Sequence, residues 1–231
     1  MIYITGDTHG DFDRVKEFCQ KMDTSKEDIL IVLGDVGLNY YGGRRDRIRK
    51  MLVEALPITM FCIHGNHEQR PETLSGYTTT SWHGGTVWVE EGFPSILFAK
   101  DGEVYQLAGK DALVIGGAYS VDKEYRLARG FGWWESEQPS AETKAYVESV
   151  LEKRKWAVDV VLTHTVPIRY EPTEVFLPFI DQSKVDKSTE NWLGEIEARL
   201  KYDRWYCGHY HTSKTVDRMV LMFEDFRVFS E

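Results

Sequence analysis

Aspartate, asparagine and histidine recur along this chain in short clusters led by glycine. Asp7 and His9 lie in the run Gly6, Asp7, Thr8, His9, Gly10, and Asp35 follows Gly34. Asn66 and His67 sit between Gly65 and Glu68, His164 stands alone, and His209 and His211 follow Gly208. Mixed nitrogen and oxygen donors of this kind suit manganese, iron, zinc or nickel better than calcium or magnesium. In an extended segment residues i and i+2 project to the same side. Asp7 with His9, and His209 with His211, can therefore each grip an ion as a pair. The leading glycines let the backbone turn sharply and come close to such ions. No cluster is specific alone, since short motifs recur by chance. Their weight comes from all of them occurring together.

Such side chains need rigid elements to aim them. Continuous apolar runs predict buried strands at 2–5, 29–33, 58–63, 158–162 and 205–207. Each donor cluster falls just past the carboxyl end of one of these, the edge where open α/β sheets bind ligands. Helical spacing marks 12–22, 45–56, 140–155 and 192–200. Short β-type runs at 86–90, 95–99, 104–107 and 112–115, broken by Gly and Asp-Gly, suggest hairpins. The end, 215–229, is again rich in β-formers. The simplest assembly is an α/β fold of two stacked sheets with helices outside, in one domain spanning 1–231. Two long loops, 120–139 and 165–184, are expected to be functional or disordered.

Composition narrows the classes. Hydrophobic residues make up 42 % of the 231, enough for a packed core. No run approaches the roughly 18 apolar residues of a membrane span. The first residues read as a strand and not as a signal peptide, which points to a cytoplasmic protein. The three cysteines form no Cys-x-x-Cys pair and are expected to be buried thiols. A net charge of −9 makes a poor general binder of nucleic acid.

The ordered set from Gly6 to His211 resembles the calcineurin-like metallophosphoesterase superfamily, over nearly the whole chain. The resemblance implies a four-layer αββα sandwich of two mixed β-sheets flanked by helices, with a binuclear metal site at the strand C-terminal edge. Carried over residue by residue, one divalent metal ion takes Asp7, His9 and His211. The second takes Asn66, His164 and His209. Asp35 bridges them, and His67 is the catalytic histidine that ligates neither. Asp35, Asn66 and His67 are thus the catalytic residues. Manganese is the first expectation for the metal pair, with iron, zinc or nickel next. Implied is a hydrolase that attacks a phosphate ester with metal-activated hydroxide, two cations clamping the attacking and leaving oxygens. His67 would protonate the departing alkoxide.

The chain departs from the protein phosphatase pattern in three places. Leu38 replaces the aspartate that orients the catalytic histidine, Asn39 a phosphate-contacting arginine, and His64 the arginine before Gly65. Two lost guanidiniums are two lost bidentate phosphate clamps. Substitutes for substrate binding are His64, Arg44, Arg45 and Arg126, each with a plainer reading as a buried histidine, surface charge or loop packing. Arg126, Arg129, Phe131, Trp133 and Trp134 could stack a base and hold its phosphates, or pack their loop. The preferred partner is a small phosphoester or nucleotide, as monoester or diester. Competing readings are a serine/threonine-type protein phosphatase, a nuclease, and a noncatalytic protein-binding scaffold with this fold.

Overall fold

The computed structural model describes residues 1–229. The last two residues of the span read as one domain lie outside the described residues. Strands β1 (Ile2–Thr5), β2 (Ile29–Val32) and β3 (Thr59–Cys62) alternate with helices α1 (Phe12–Met22) and α2 (Gly43–Glu54). Then come β4 (Tyr77–Trp82), β5 (Gly85–Glu90), β6 (Ile96–Ala99), β7 (Val104–Leu107) and β8 (Lys110–Ile115). Helices α3 (Lys123–Arg129) and α4 (Ala141–Lys153) lead to β9 (Val160–Thr163). Helix α5 (Ser188–Arg199) precedes β10 (Arg204–Cys207), β11 (Lys214–Val216), β12 (Met219–Leu221) and β13 (Phe226–Val228).

The strands form two sheets, ordered β13-β1-β2-β3-β6-β5-β4 and β11-β12-β10-β9-β8-β7. Both are mixed. In each, a parallel centre carries antiparallel strands at the flanks. Alternation within β2 shows why its sequence is apolar throughout. Ile29 and Ile31 face the second sheet, whereas Leu30 and Val32 face the helix layer. Three buried clusters result. One lies between the sheets, with Ile4, Phe61, Tyr105 and Leu162. The second packs Val15 of α1 and Val53 of α2 on the first sheet. The third packs Val147 of α4 and Leu193 of α5 on the second. The layers therefore read helix, sheet, sheet, helix, as expected.

Two elements were not legible. β4 is an edge strand whose middle four residues are exposed, so its threonines show no apolar alternation. α3 is a seven-residue helix inside the 120–139 loop, and its one buried residue is Arg126. The three cysteines are buried free thiols. Among the described residues no helix is long and apolar enough to cross a membrane.

Trp205 of β10 is fully buried, and its indole N–H donates to the Thr163 hydroxyl at 2.8 Å. Trp205→Ala should cost about 3–5 kcal/mol by cavity formation. Urea unfolding should show an earlier midpoint with an unchanged slope.

Candidate metal centre

The parallel strands of both sheets aim their carboxyl ends at one place. Asp7 and His9 follow β1, Asp35 follows β2, Asn66 and His67 follow β3, His164 follows β9, and His209 and His211 follow β10. His9, Asp35, Asn66, His67, His209 and His211 share one cavity of about 430 Å³. The turns are tight. His9, Asp35, His209 and His211 all have positive φ, between 47° and 68°. Each costs about 1–2 kcal/mol for an L-residue, which marks a place where function outweighs backbone comfort.

Donor atoms converge in two groups. His9 Nε2 and His211 Nε2 are 2.9 Å apart, and Asp7 Oδ2 is 3.2 Å from His211 Nε2. On the other side, His164 Nε2 is 2.9 Å from Asn66 Oδ1 and 3.6 Å from Asp35 Oδ1. The His209 ring lies 5.0 Å from that of His164, centroid to centroid. Asp35 reaches both groups, because its Oδ2 is also 3.8 Å from His9 Nε2. Asp7 and Asp35 are both 2 % exposed.

These residues fit a pair of cations. His164 Nδ1 lies 2.7 Å from the Leu33 carbonyl, the geometry of an N–H donating to it. So held, the ring turns its Nε2 toward Asn66 Oδ1. The Asn66 amide is likewise committed, since its Nδ2 donates to Ser120 Oγ at 2.9 Å. Nε2 and Oδ1 thus stand side by side 2.9 Å apart, a separation that two ligands of one cation can have. Burial, then the neighbouring His164 charge, push the His209 pKa down to about 3, so His209 is a neutral nitrogen donor. Burial works against the charge of Asp35, but His164, His67 and His9 outweigh it and hold the carboxyl well below its usual range.

The surrounding layer fixes these donors. The Asp7 carboxylate accepts from the His209 backbone N–H at 3.0 Å. Asp35 Oδ1 accepts from the His67 N–H at 2.8 Å. The glycines act as much by absence of bulk as by freedom of turn. At Gly34 φ is +100°, and a Cβ would also stand 2.1 Å from His164 Nδ1. A Cβ on Gly208 would stand 2.1 Å from Asp7 Oδ1. Gly208→Ala should therefore keep the fold but displace Asp7 and weaken Mn²⁺ binding by about 10–100-fold. Calorimetric titration of the metal-stripped protein checks this.

Four side chains here carry no sequence motif. Ser120 Oγ, which accepts from Asn66, also accepts from Arg126 Nη1 at 3.0 Å and donates to Glu137 Oε2 at 2.5 Å. Asp122 Oδ1 lies 3.8 Å from His67 Nε2. Glu190, at 4 % exposure, lines the cavity beside Tyr210.

The proposed substrate contacts fall elsewhere. Arg126 is 1 % exposed and supports Asn66 from behind without lining the cavity. His64 is 3 % exposed, its ring nitrogens lack partners, and it does not line the cavity either. Arg44 and Arg45 are exposed at the start of α2, where Arg45 lies 3.4 Å over the Tyr41 ring. Trp134 packs edge-on against Tyr40, and Lys123 covers Trp133, so neither offers a stacking face to the cavity. The common reason is local. Except at Arg44, which is simply exposed, a neighbouring carboxylate, ring or backbone group has already engaged the side chain or enclosed it.

A family model described as calcineurin-like phosphoesterase matches residues 1–213. No curated protein matches the chain. Among solved structures, that of TT1561 of Thermus thermophilus shares the fold, with a TM-score of 0.53 at 12 % identity over 96 % of this chain and 87 % of that one. A second solved structure aligns with 14 % identity and a TM-score of 0.48 over 96 % of this chain and 88 % of its own.

Proposed function

Because the chain belongs to the calcineurin-like phosphoesterase family, whose members are metal-dependent phosphoesterases, we propose that it hydrolyses a small-molecule phosphate ester at a binuclear centre on the cavity floor. The observation that carries this reading is the convergence of Asp7, His9 and His211 on one side and of Asp7, Asp35 and His164 on the other, with Asp35 also 3.8 Å from His9. Asp7, His9 and His211 would hold one cation, and Asn66, His164 and His209 the other, with Asp35 between. Manganese, iron, zinc or nickel suits this donor set. Such a pair supplies Lewis acidity toward phosphoryl oxygens and a lowered pKa for water.

The chain's own residues do the rest. Asp7 and Asp35 provide buried negative charge, and the histidines provide neutral nitrogen. His67 Nε2 faces the cavity and is the atom that passes a proton to the departing oxygen. Asp122 Oδ1, 3.8 Å from that atom, favours its protonated form electrostatically, a contribution Leu38, fully buried in the first sheet's helix-facing core, cannot make. Among the described residues neither serine, threonine nor cysteine lines the cavity, so water is the nucleophile that fits.

Two observations disfavour a protein phosphatase. Among the described residues no guanidinium lines the cavity, and Asn39 spends its carbonyl on the Tyr77 hydroxyl at 3.0 Å. A nucleotide loses support as well, because the 120–139 aromatics other than Tyr119 at its edge stay out of the cavity lining. The three buried free thiols fit a reducing, cytoplasmic setting.

The test is hydrolysis of p-nitrophenyl phosphate and bis-p-nitrophenyl phosphate by metal-stripped protein reloaded with Mn²⁺. Restored hydrolysis with two bound ions per chain supports the reading, and the faster ester distinguishes monoesterase from diesterase. No hydrolysis with Mn, Ni, Zn or Fe, and no bound ion, overturns it in favour of a noncatalytic scaffold.

A further inference from the structure

The cavity floor is polar, but its far wall is not. Residues 171–185 cross beside the floor and include the short 3-10 turns Thr173–Val175 and Gln182–Lys184. From this segment Val175, Phe176, Leu177, Ile180 and Val185 line the cavity. The segment is tied to the site, because Phe176 stacks on Tyr210, between His209 and His211, at 6.1 Å and 17°. The apolar surface continues outward. Leu177 is 48 % exposed and Phe179 77 %, and Val121 on another part of the cavity lining is 39 % exposed. An apolar wall continuous with a polar reaction floor is the ordinary build of a ligand pocket.

Charge narrows the occupant further. Among the described residues no lysine or arginine lines the cavity, whereas Asp122, Glu171 and Glu190 do. Lys187, which lies 5.1 Å over the Phe176 ring, pairs with Glu171 at 2.7 Å, and the exposed Lys184 lies 3.6 Å from Asp181. Glu190 Oε1 accepts from the Thr165 hydroxyl at 2.7 Å, and its buried Oε2 has no partner. A second anionic group on the substrate would meet a surplus of carboxyl groups there, an arrangement that disfavours nucleoside polyphosphates and sugar bisphosphates.

We infer that residues 171–185 form a leaving-group subsite, and that the substrate is an amphiphilic phosphoester with one phosphoryl group on the floor and an uncharged, apolar alcohol along this wall. The inference rests on the floor being the phosphoesterase site. In the reaction water adds to phosphorus, the bond between phosphorus and the alcohol oxygen breaks, and that oxygen takes up a proton. The apolar alcohol leaves along the wall.

The experiment uses n-alkyl phosphates from butyl to octyl, which hold leaving-group chemistry constant. With Mn²⁺-loaded protein kcat/KM should rise about two- to fourfold per added methylene until the wall is covered. Leu177→Lys, on a half-exposed residue, should flatten the series and lower the octyl value about tenfold. A second readout needs neither metal nor turnover. The neutral fluorophore N-phenyl-1-naphthylamine should bind the metal-free protein and be displaced by octan-1-ol, and Leu177→Lys should weaken it about tenfold. A flat alkyl series in an active enzyme overturns the inference and leaves the phosphoesterase reading standing. If no ester is cleaved, the phosphoesterase reading fails, and the fluorophore decides the wall: displaceable binding sustains the apolar subsite, and its absence overturns it.

Discussion

Asp35→Asn should lower kcat for p-nitrophenyl phosphate by on the order of 10³-fold, the scale of losing one preorganised electrostatic group at a reaction centre. The Asp35 carboxylate reaches both donor groups, at 3.6 Å to His164 and 3.8 Å to His9. Asparagine keeps the shape and can still accept the His67 N–H at Oδ1, so the turn after β3 should survive. What disappears is buried negative charge. A cluster of histidines then lacks the counter-charge that favours a cation among them. Metal content, measured on the purified protein, should fall with activity, while the unfolding midpoint of the metal-free protein should hold or rise. Full activity with both ions retained would show that Asp35 bridges nothing.

His67→Ala should lower kcat by about 10²–10⁴-fold for an alkyl phosphate, whose alkoxide cannot leave without a proton. For p-nitrophenyl phosphate, whose leaving group is stable as an anion, the loss should be far smaller. That contrast separates a proton donor from a residue that merely supports the loop. The pH profile gives a second check. Burial, opposed by Asp35 and Asp122, lowers the His67 pKa from 6.5. The protonated form therefore declines before pH 6.5, and the alkyl ester rate should carry a descending limb on the acid side of that value. His67→Ala should erase the limb. An equal loss on both esters, with the limb intact, would remove His67 from proton transfer.

Much of this arrangement was legible in the sequence because it is written in local patterns. Five of the buried parallel strands, β1, β2, β3, β9 and β10, coincide with continuous apolar runs, and a donor cluster follows each of these. The apolar runs 2–5, 29–33 and 158–162 each end just before Asp7, Asp35 or His164, which sets these three at one edge. The β4 edge strand was not legible, since Thr78, Thr79 and Thr80 face solvent and no apolar alternation betrays them. The layer behind the donors was also hidden. Ser120 meets Asn66 across 54 residues, and Asp122 meets His67 only because α3 folds over the loop. Long-range pairing of ordinary polar residues leaves no periodicity to read. Arg126 misled for the opposite reason. An arginine among aromatics looks like a ligand clamp, yet its guanidinium is buried against Ser120 and the Asn66 carbonyl.

The His9–His211 contact joins residues 202 positions apart. A ribosome releases β1 well before β10, so Asp7 and His9 emerge before His211 is made. Each donor set proposed above draws on both halves of the chain, Asp7 and His9 with His211, and Asn66 with His164 and His209. A cation held by either set would reward the finished structure, by mass action on the native state. Ion uptake would then serve as a clock hand for the last stage of assembly, moving only once both sheets have met.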